Sequence, residues 1–155
     1  MDELEKHAAP AMEKLLQSDP DQLFAELGLR QKAIQADPSQ AGRFETTATY
    51  QAEFAGPMDV LKQIGRSFFD RVSKDLYGIV CGSDPENTQE RKQLWDAFGG
   101  GKATFAAALA AIGVSWFGWA PAISAVVAAL VVKLFFKNAI DATCQVWKQH
   151  LPTSA

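Results

Sequence analysis

The chain has 155 residues, the usual size of one domain, and this length is sufficient to bury a continuous hydrophobic core. It is 48% hydrophobic and 21% charged, which is typical of globular proteins and argues against a disordered chain, a collagen-like repeat or a disulfide scaffold. The net charge of −3 provides no basic surface, so we expect no binding to nucleic acid. Residues 1–155 are therefore predicted to form a single domain.

Charged residues are unevenly distributed along this domain. Only four of them follow Ala103, and the 30 residues between Lys102 and Lys133 contain no Asp, Glu, Lys or Arg. This uncharged segment carries most of the functional information in the sequence.

The first residues of the chain bear on the location of the protein in the cell. Residues 1–7 are acidic and lack the apolar segment of a signal peptide, so we expect a cytoplasmic protein, with association with the inner face of a membrane as the alternative.

Cys81 and Cys144 lie in apolar helical patterns and have neither a CxxC nor a metal-ligand spacing. Each is therefore expected to be a reduced, buried thiol.

In the first half of the chain, Asp-Pro pairs mark helix starts. An Asp side chain accepts a hydrogen bond from a free backbone N–H, while Pro at the first helical position has a helical φ and no N–H to satisfy. These signals predict helices over residues 11–17, 20–27 and 85–98, the second of them ended by Gly28. Residues 38–55 combine strand and helix character, and we favour helix.

The clearest amphipathic helix is predicted over residues 57–80. Its apolar residues recur at spacings of three and four, as Leu61, Ile64 and Phe68 show. This pattern places one continuous apolar stripe against the rest of the domain.

Three consecutive glycines, Gly99, Gly100 and Gly101, separate the polar helices from the uncharged segment. With the lysine that follows, they superficially resemble a phosphate-binding loop. That motif needs a glycine where this chain has Asp96 and a Ser or Thr where it has Ala103, and no hydrophobic strand precedes it. We interpret the three glycines as a hinge between two helices.

The uncharged segment predicts a helical hairpin. Its 30 residues in one straight helix would span ~45 Å, which exceeds the ~30 Å hydrocarbon core of a membrane. Gly118 and Pro121 divide the segment into two arms, and Pro121 suits a first helical position. The second arm is predicted to continue as one helix to about His150, with an apolar first half and an amphipathic second half.

The predicted fold is therefore all-α, a multi-helix bundle around a C-terminal, apolar, Ala-rich helical hairpin. Residues 1–98 supply amphipathic and polar helices, residues 99–101 the hinge, and residues 102–151 the hairpin. A helix that is apolar on all sides must be buried, either in the centre of a bundle or in lipid.

Two groups of hairpin residues are candidates for contact with a membrane or a partner. Large aromatic side chains at a turn are costly to expose, so an exposed turn would imply a partner or a bilayer, whereas the alternative is packing in the core. The candidates are Trp116, Phe117 and Trp119 at the turn, and Val126, Val127 and Leu130 in the second arm.

No catalytic constellation is evident in the sequence. His7 and His150 lie near the two ends without a matched nucleophile, and Cys144 is six residues from His150, on a different face of a helix. The spacing of these residues matches no zinc site. We therefore expect no catalytic residue, no metal and no cofactor.

These features leave two functions open. The first is a non-enzymatic helical protein-interaction module, or a small subunit of a larger assembly, whose partner is another protein or a second copy of the chain. The second is a membrane-inserting, pore-forming effector that uses residues 102–151. That arrangement resembles, in architecture alone, the apolar hairpin wrapped by amphipathic helices in pore-forming domains such as those of colicins.

Overall fold

The computed structural model describes residues 2–45, 57–82, 86 and 88–151. This part of the chain is all-α, with seven α-helices and no strand, as the sequence predicted. The helices are α1 (Asp2–Leu15), α2 (Pro20–Ala36), α3 (Met58–Cys81), α4 (Thr88–Phe98), α5 (Lys102–Phe117), α6 (Pro121–Phe135) and α7 (Ile140–His150), with a 3₁₀ helix over Pro38–Gly42.

The start of α2 confirms the predicted cap. The Asp19 side chain accepts a hydrogen bond from the Gln22 backbone N–H (2.8 Å), and the Gln22 side chain accepts one from the Asp19 backbone N–H (3.0 Å). This reciprocal pair satisfies two backbone donors that a helix leaves unpaired at its start. α1 is longer than predicted, because it begins at Asp2 and continues through Pro10.

The prediction that Gly28 ends α2 is wrong. α2 continues to Ala36, and Gly28 lies in its middle, where a Cβ atom would collide with the backbone carbonyl oxygen of Leu61 in α3. Gly65 of α3 faces the backbone of Phe24 in the same way. The two glycines therefore allow close approach of two helix backbones, and neither is a helix stop.

The segment between α2 and α3 is only partly helical. A 3₁₀ helix covers Pro38–Gly42, whereas residues 46–55 of the predicted helix lie outside the described residues. Asp37 caps the 3₁₀ helix, because its carboxylate accepts hydrogen bonds from the hydroxyl (2.7 Å) and the backbone N–H (3.1 Å) of Ser39. These bonds hold the pKa of Asp37 below its ordinary value.

α3 confirms the predicted amphipathic helix, and α4 is fixed to its C-terminal end. The guanidinium of Arg91 donates to the backbone oxygen of Ile79 (3.1 Å), and the indole N–H of Trp95 donates to that of Val80 (2.9 Å). α4 begins at Thr88, and residues 85 and 87 of the predicted helix are not among the described residues. These two bonds satisfy carbonyl groups that the end of α3 leaves unpaired.

α5 and α6 form the centre of the bundle and pack against each other. α1 and α4 pack against α5, and α2 packs against α6 and α3. Every residue from 105 to 113 and from 122 to 132 is buried. The uncharged hairpin is therefore enclosed by the more polar helices.

The structure contradicts a single helix from Pro121 to about His150. α6 ends at Phe135, and α7 follows after a break of four residues at an angle of 102° to it. The bend allows the indole of Trp147 to stack on the Phe135 ring at 5.4 Å, and Trp147 is fully buried. Burial of this large side chain favours the bend over a straight helix that would leave the bundle.

The structure also contradicts the expectation of two reduced thiols. Cys81, the last residue of α3, forms a disulfide with Cys144 of α7, with an S–S distance of 2.02 Å and a Cα–Cα distance of 5.7 Å. Both residues lie on partly buried apolar faces, as their sequence patterns indicated. The bend after α6 brings the two faces together.

Candidate functional site

The turn between α5 and α6 is built around two glycines. Gly118 ends α5 in the left-handed region (φ 69°), and the backbone N–H of Trp119 donates to the oxygen of Gly113 (3.0 Å). A Cβ atom at Gly113 would collide with the hydroxyl of Ser124 in α6 and lie 2.6 Å from the Trp119 ring. The turn therefore requires glycine at position 113 for the two arms to pack closely.

The three aromatic residues at this turn have different surroundings. The rings of Phe117 and Trp119 are stacked at 4.8 Å, and both side chains are partly buried. Trp119 also makes an edge contact with Phe68 of α3 at 6.5 Å. Trp116 is 45% exposed, so one of the three predicted contact residues presents a large apolar surface to solvent.

A cavity of about 320 Å³ adjoins Trp116, between the first part of α4 and the last part of α5. Its wall contains one carboxylate, that of Glu90, whose Oε2 is buried and has no hydrogen-bond partner among the residues that the structure describes. Buried polar atoms in proteins are nearly always paired, so this oxygen has an unused capacity to accept a hydrogen bond. The remaining lining residues are Gln89, Gln93, Ile112 and Ser115.

The full charge on the wall of this cavity favours a cation. The carboxylate of Glu90 is negative, whereas the two helix dipoles oppose each other, because the cavity adjoins the positive N-terminal end of α4 and the negative C-terminal end of α5. The face of an indole such as that of Trp116 also attracts cations. The cavity therefore combines a carboxylate and an aromatic face, a pair that suits a guanidinium group.

The predicted contact residues of the second arm lie in the core. Val126, Val127 and Leu130 are each 0% exposed and contact neighbouring helices. Ser124, beside them, donates its hydroxyl hydrogen to the backbone oxygen of Ala110 in α5 (2.6 Å). These three apolar side chains reach a membrane or a partner only if the bundle opens.

Besides the buried Arg91 of α4, sequence reasoning missed the buried charge of Arg30 in α2. Its guanidinium is nearly inaccessible, and it donates to the backbone oxygens of Phe44 (2.6 Å) and Ala122 (2.8 Å) and to the carboxylate of Glu26 (2.9 Å). Arg30 thus connects the polar N-terminal half to the first turn of α6. The available signal was the spacing of Glu26 and Arg30, four residues apart and so on the same face of the helix.

The predicted hinge joins α4 to α5 in a tight turn. Gly101 has a positive φ of 105°, which glycine adopts without strain, and Gly99 and Gly100 complete the turn. Phe98, just before it, stacks on Phe136 at 4.4 Å. The turn is therefore packed at the base of the hairpin, and its role as a hinge stays a prediction.

Two further cavities each contain a histidine. One of about 350 Å³ is lined by His7 and Glu45 among others, and one of about 320 Å³ by His150, Asp21 and Asp70 among others. Within residues 2–45, 57–82, 86 and 88–151, no group of three or more His, Cys, Asp or Glu side chains is placed to hold a metal ion.

In the described part of the chain, no single helix has both the length and the apolar composition needed to cross a membrane. α6 and α7 together meet the requirement by length and composition, but the bend of 102° separates them. The apolar helix α5, with 16 residues, is shorter than a membrane span.

No known family model matches this sequence, and no curated protein or solved structure matches it either. The function of this chain must therefore be inferred from the geometry of its own residues.

Proposed function

We propose that this protein is a non-enzymatic helical interaction module that binds a basic side chain of a different protein at the exposed end of its hairpin. The observation that supports this proposal is the exposed indole of Trp116 beside the Oε2 of Glu90, which is buried and finds no hydrogen-bond partner within the described part of the chain. Together they form a small pocket in which a charged donor finds both an acceptor and an aromatic face.

Arginine fits this pocket better than lysine. Its guanidinium is planar, so it stacks on the Trp116 ring while its N–H groups donate to the Glu90 carboxylate. The amides of Gln89 and Gln93 line the same cavity and provide further polar contacts. A single cation–π contact at an exposed site contributes only about 0.5–1 kcal/mol, so a protein partner must add contacts around the pocket.

A titration with N-acetyl-arginine amide tests this chemistry. The chain has four tryptophans, whose indole N–H groups give separate NMR signals. We expect a saturable shift of the Trp116 signal. Trp95 is the control, because it is 46% exposed but its N–H already donates to the backbone oxygen of Val80, so its signal should not shift. The neutral isostere N-acetyl-citrulline amide should leave both signals in place.

The variant Glu90→Gln keeps the size of the side chain and removes its charge, so it should weaken the arginine-dependent shift severalfold. Equal, non-saturating shifts of Trp95 and Trp116 would contradict the proposal. Sedimentation velocity tests whether the occupant is a second copy of the chain. That would be the result if the chain self-associates, and if Trp116→Ala abolishes the self-association while Trp95→Ala does not.

Membrane insertion by the hairpin is the second candidate. The supporting observation is that the enclosed helices α5 and α6 are uncharged from residue 103 to residue 132, with exposed lysines only at their base. Those lysines are Lys102, Lys133 and Lys137, and the aromatic turn lies at the other end, an arrangement typical of interfacial anchoring. Insertion requires α1, α2 and α4 to separate from the hairpin.

Dye-loaded vesicles of phosphatidylcholine and phosphatidylglycerol test this second function at mildly acidic and neutral pH. Insertion predicts dye release that Trp116→Ala reduces and Trp95→Ala leaves unchanged, because Trp116 lies at the turn and Trp95 does not. Intact vesicles under both conditions count against insertion and leave the arginine titration unaffected.

A further inference from the structure

The disulfide joins two helices that are distant in the sequence. Cys81 ends α3 and Cys144 lies in α7, at a sequence separation of 63 that takes in α4, α5 and α6. α7 follows the bend and packs mainly on α3 and α6.

One face of α7 makes all of its core contacts. Thr143 and Trp147 are its fully buried side chains. The Trp147 indole N–H donates to the hydroxyl of Ser73 in α3 (2.8 Å), and its ring makes an edge contact with Tyr77 at 5.6 Å. The solvent-exposed residues of this helix are Asp141, Ala142, Gln145, Lys148, Gln149 and His150.

α7 has little stability of its own. It has 11 residues, and its N-cap, Ala139, makes no side-chain capping hydrogen bond. Isolated helices of this length are marginal in water, so α7 depends on its attachment to the bundle. The disulfide keeps the Trp147 face next to α3 and so raises its effective concentration there.

Cys81 and Cys144 are both partly exposed, so the bond is not fully enclosed in the core. A thiolate of a dithiol reductant attacks one sulfur, the S–S bond breaks, and the other cysteine leaves as a thiolate that takes up a proton. The second thiol of the reductant then attacks the mixed disulfide. Two electrons and two protons pass to the cysteines, and the reductant becomes a cyclic disulfide.

We propose that the Cys81–Cys144 bond is a redox-modification site for dithiol reductants, and that its reduction releases α7 while α5 and α6 stay packed. The release exposes Trp147 and the ring of Phe135 on which it stacks. This inference is independent of what binds at Trp116, because it concerns the opposite end of α6.

Hydrogen exchange of the full-length protein tests the proposal, with oxidised protein compared with protein reduced by dithiothreitol. We expect reduction to accelerate exchange of the backbone amides of residues 143–147 at least tenfold more than exchange of those of residues 106–110 in α5, which should change only with the stability of the whole domain. The double variant Cys81→Ser/Cys144→Ser should match the reduced protein without any reductant present, and reductant should then have no further effect.

Three results would overturn the proposal. The first is equal exchange of α7 in the oxidised and reduced proteins. The second is a uniform increase in exchange over all helices, which would make the bond a staple for the whole domain. The third is a thiol titration that finds both cysteines reduced in protein exposed to an oxidised glutathione buffer.

Discussion

The most consequential single residue is Arg30, a buried charge with three hydrogen-bonded partners. Its guanidinium satisfies the backbone oxygens of Phe44 and Ala122 and pairs with Glu26, so its desolvation is compensated within the core. A buried ion pair of this kind contributes little net stability relative to an apolar replacement of the whole group. Removal of the Arg30 guanidinium alone, however, leaves Glu26 and the two backbone oxygens without their donor.

Arg30→Met is therefore expected to lower the free energy of unfolding by about 3 kcal/mol, because two buried carbonyl groups and a carboxylate lose their donor. Urea denaturation followed by circular dichroism measures the effect. The matched control is Arg66→Met, since Arg66 is 60% exposed and lies 3.9 Å from Asp21, a surface pair whose loss costs less than about 1 kcal/mol. Equal losses for the two variants would refute the role of Arg30.

Gly113→Ala should destabilise the protein by about 1–3 kcal/mol, because the added methyl group collides with Ser124 and Trp119. Gly78→Ala is the matched control. Gly78 is also helical but has nothing within 4 Å of the added Cβ, so alanine there should stabilise the protein by about 0.5–1 kcal/mol. Thermal unfolding of the two variants gives opposite shifts of Tm, and shifts of the same sign would contradict this account of the turn.

At the scale of elements, the sequence predicts helices well where one apolar stripe meets clear start and stop signals. α3 and α5 follow their predicted bounds within a few residues. The break between α6 and α7 could not be predicted, because the apolar spacing continues through Phe136 and Ile140 without interruption. What decides the break is tertiary, since Trp147 reaches Ser73 and Phe135 only after the bend.

At the turn between α5 and α6, too, the sequence predicts part of the structure and tertiary contacts decide the rest. The three aromatics at the turn were identifiable from their spacing, but their separation into one exposed indole and one stacked pair was not, because Phe68 of α3 decides it. Gly28 misled the prediction because close approach of two backbones selects glycine as strongly as a helix end does.

Val127→Lys tests the central position of α6. Val127 is fully buried, so an ammonium group at this position has neither water nor a counter-ion, and we expect a loss of about 5 kcal/mol or more in unfolding free energy. Near-ultraviolet circular dichroism would then show loss of the native tertiary signal. Gln63→Lys, on the exposed face of α3, introduces the same group and should leave the fold intact. A fully folded Val127→Lys protein would show that α6 is not enclosed.

At the scale of the whole molecule, the disulfide links two distant parts of the chain covalently. The disulfide closes a loop with a sequence separation of 63, and the chain-entropy model assigns such a loop about 4 kcal/mol of stabilisation. The bond thus acts on two levels. It restricts the unfolded chain, and in the folded state it retains α7.

The variant Cys81→Ser/Cys144→Ser should therefore unfold at lower urea concentration, with a loss of up to about 4 kcal/mol. Reduced wild-type protein should give the same curve as the double variant, because both lack the cross-link. Coincident curves for oxidised and reduced wild type would show that the cross-link does not constrain the unfolded chain.

The central position of α5 and α6 also has a consequence for biosynthesis. A ribosome makes α1, α2 and α3 before these two helices, yet α1 packs mainly against α5, and α2 covers α6. α2 and α3 can pack on each other early, but the faces of α1 and α2 that cover the hairpin have no partner until α5 and α6 have left the exit tunnel. Until then, these exposed apolar faces make the nascent chain a natural client for chaperones that bind apolar segments.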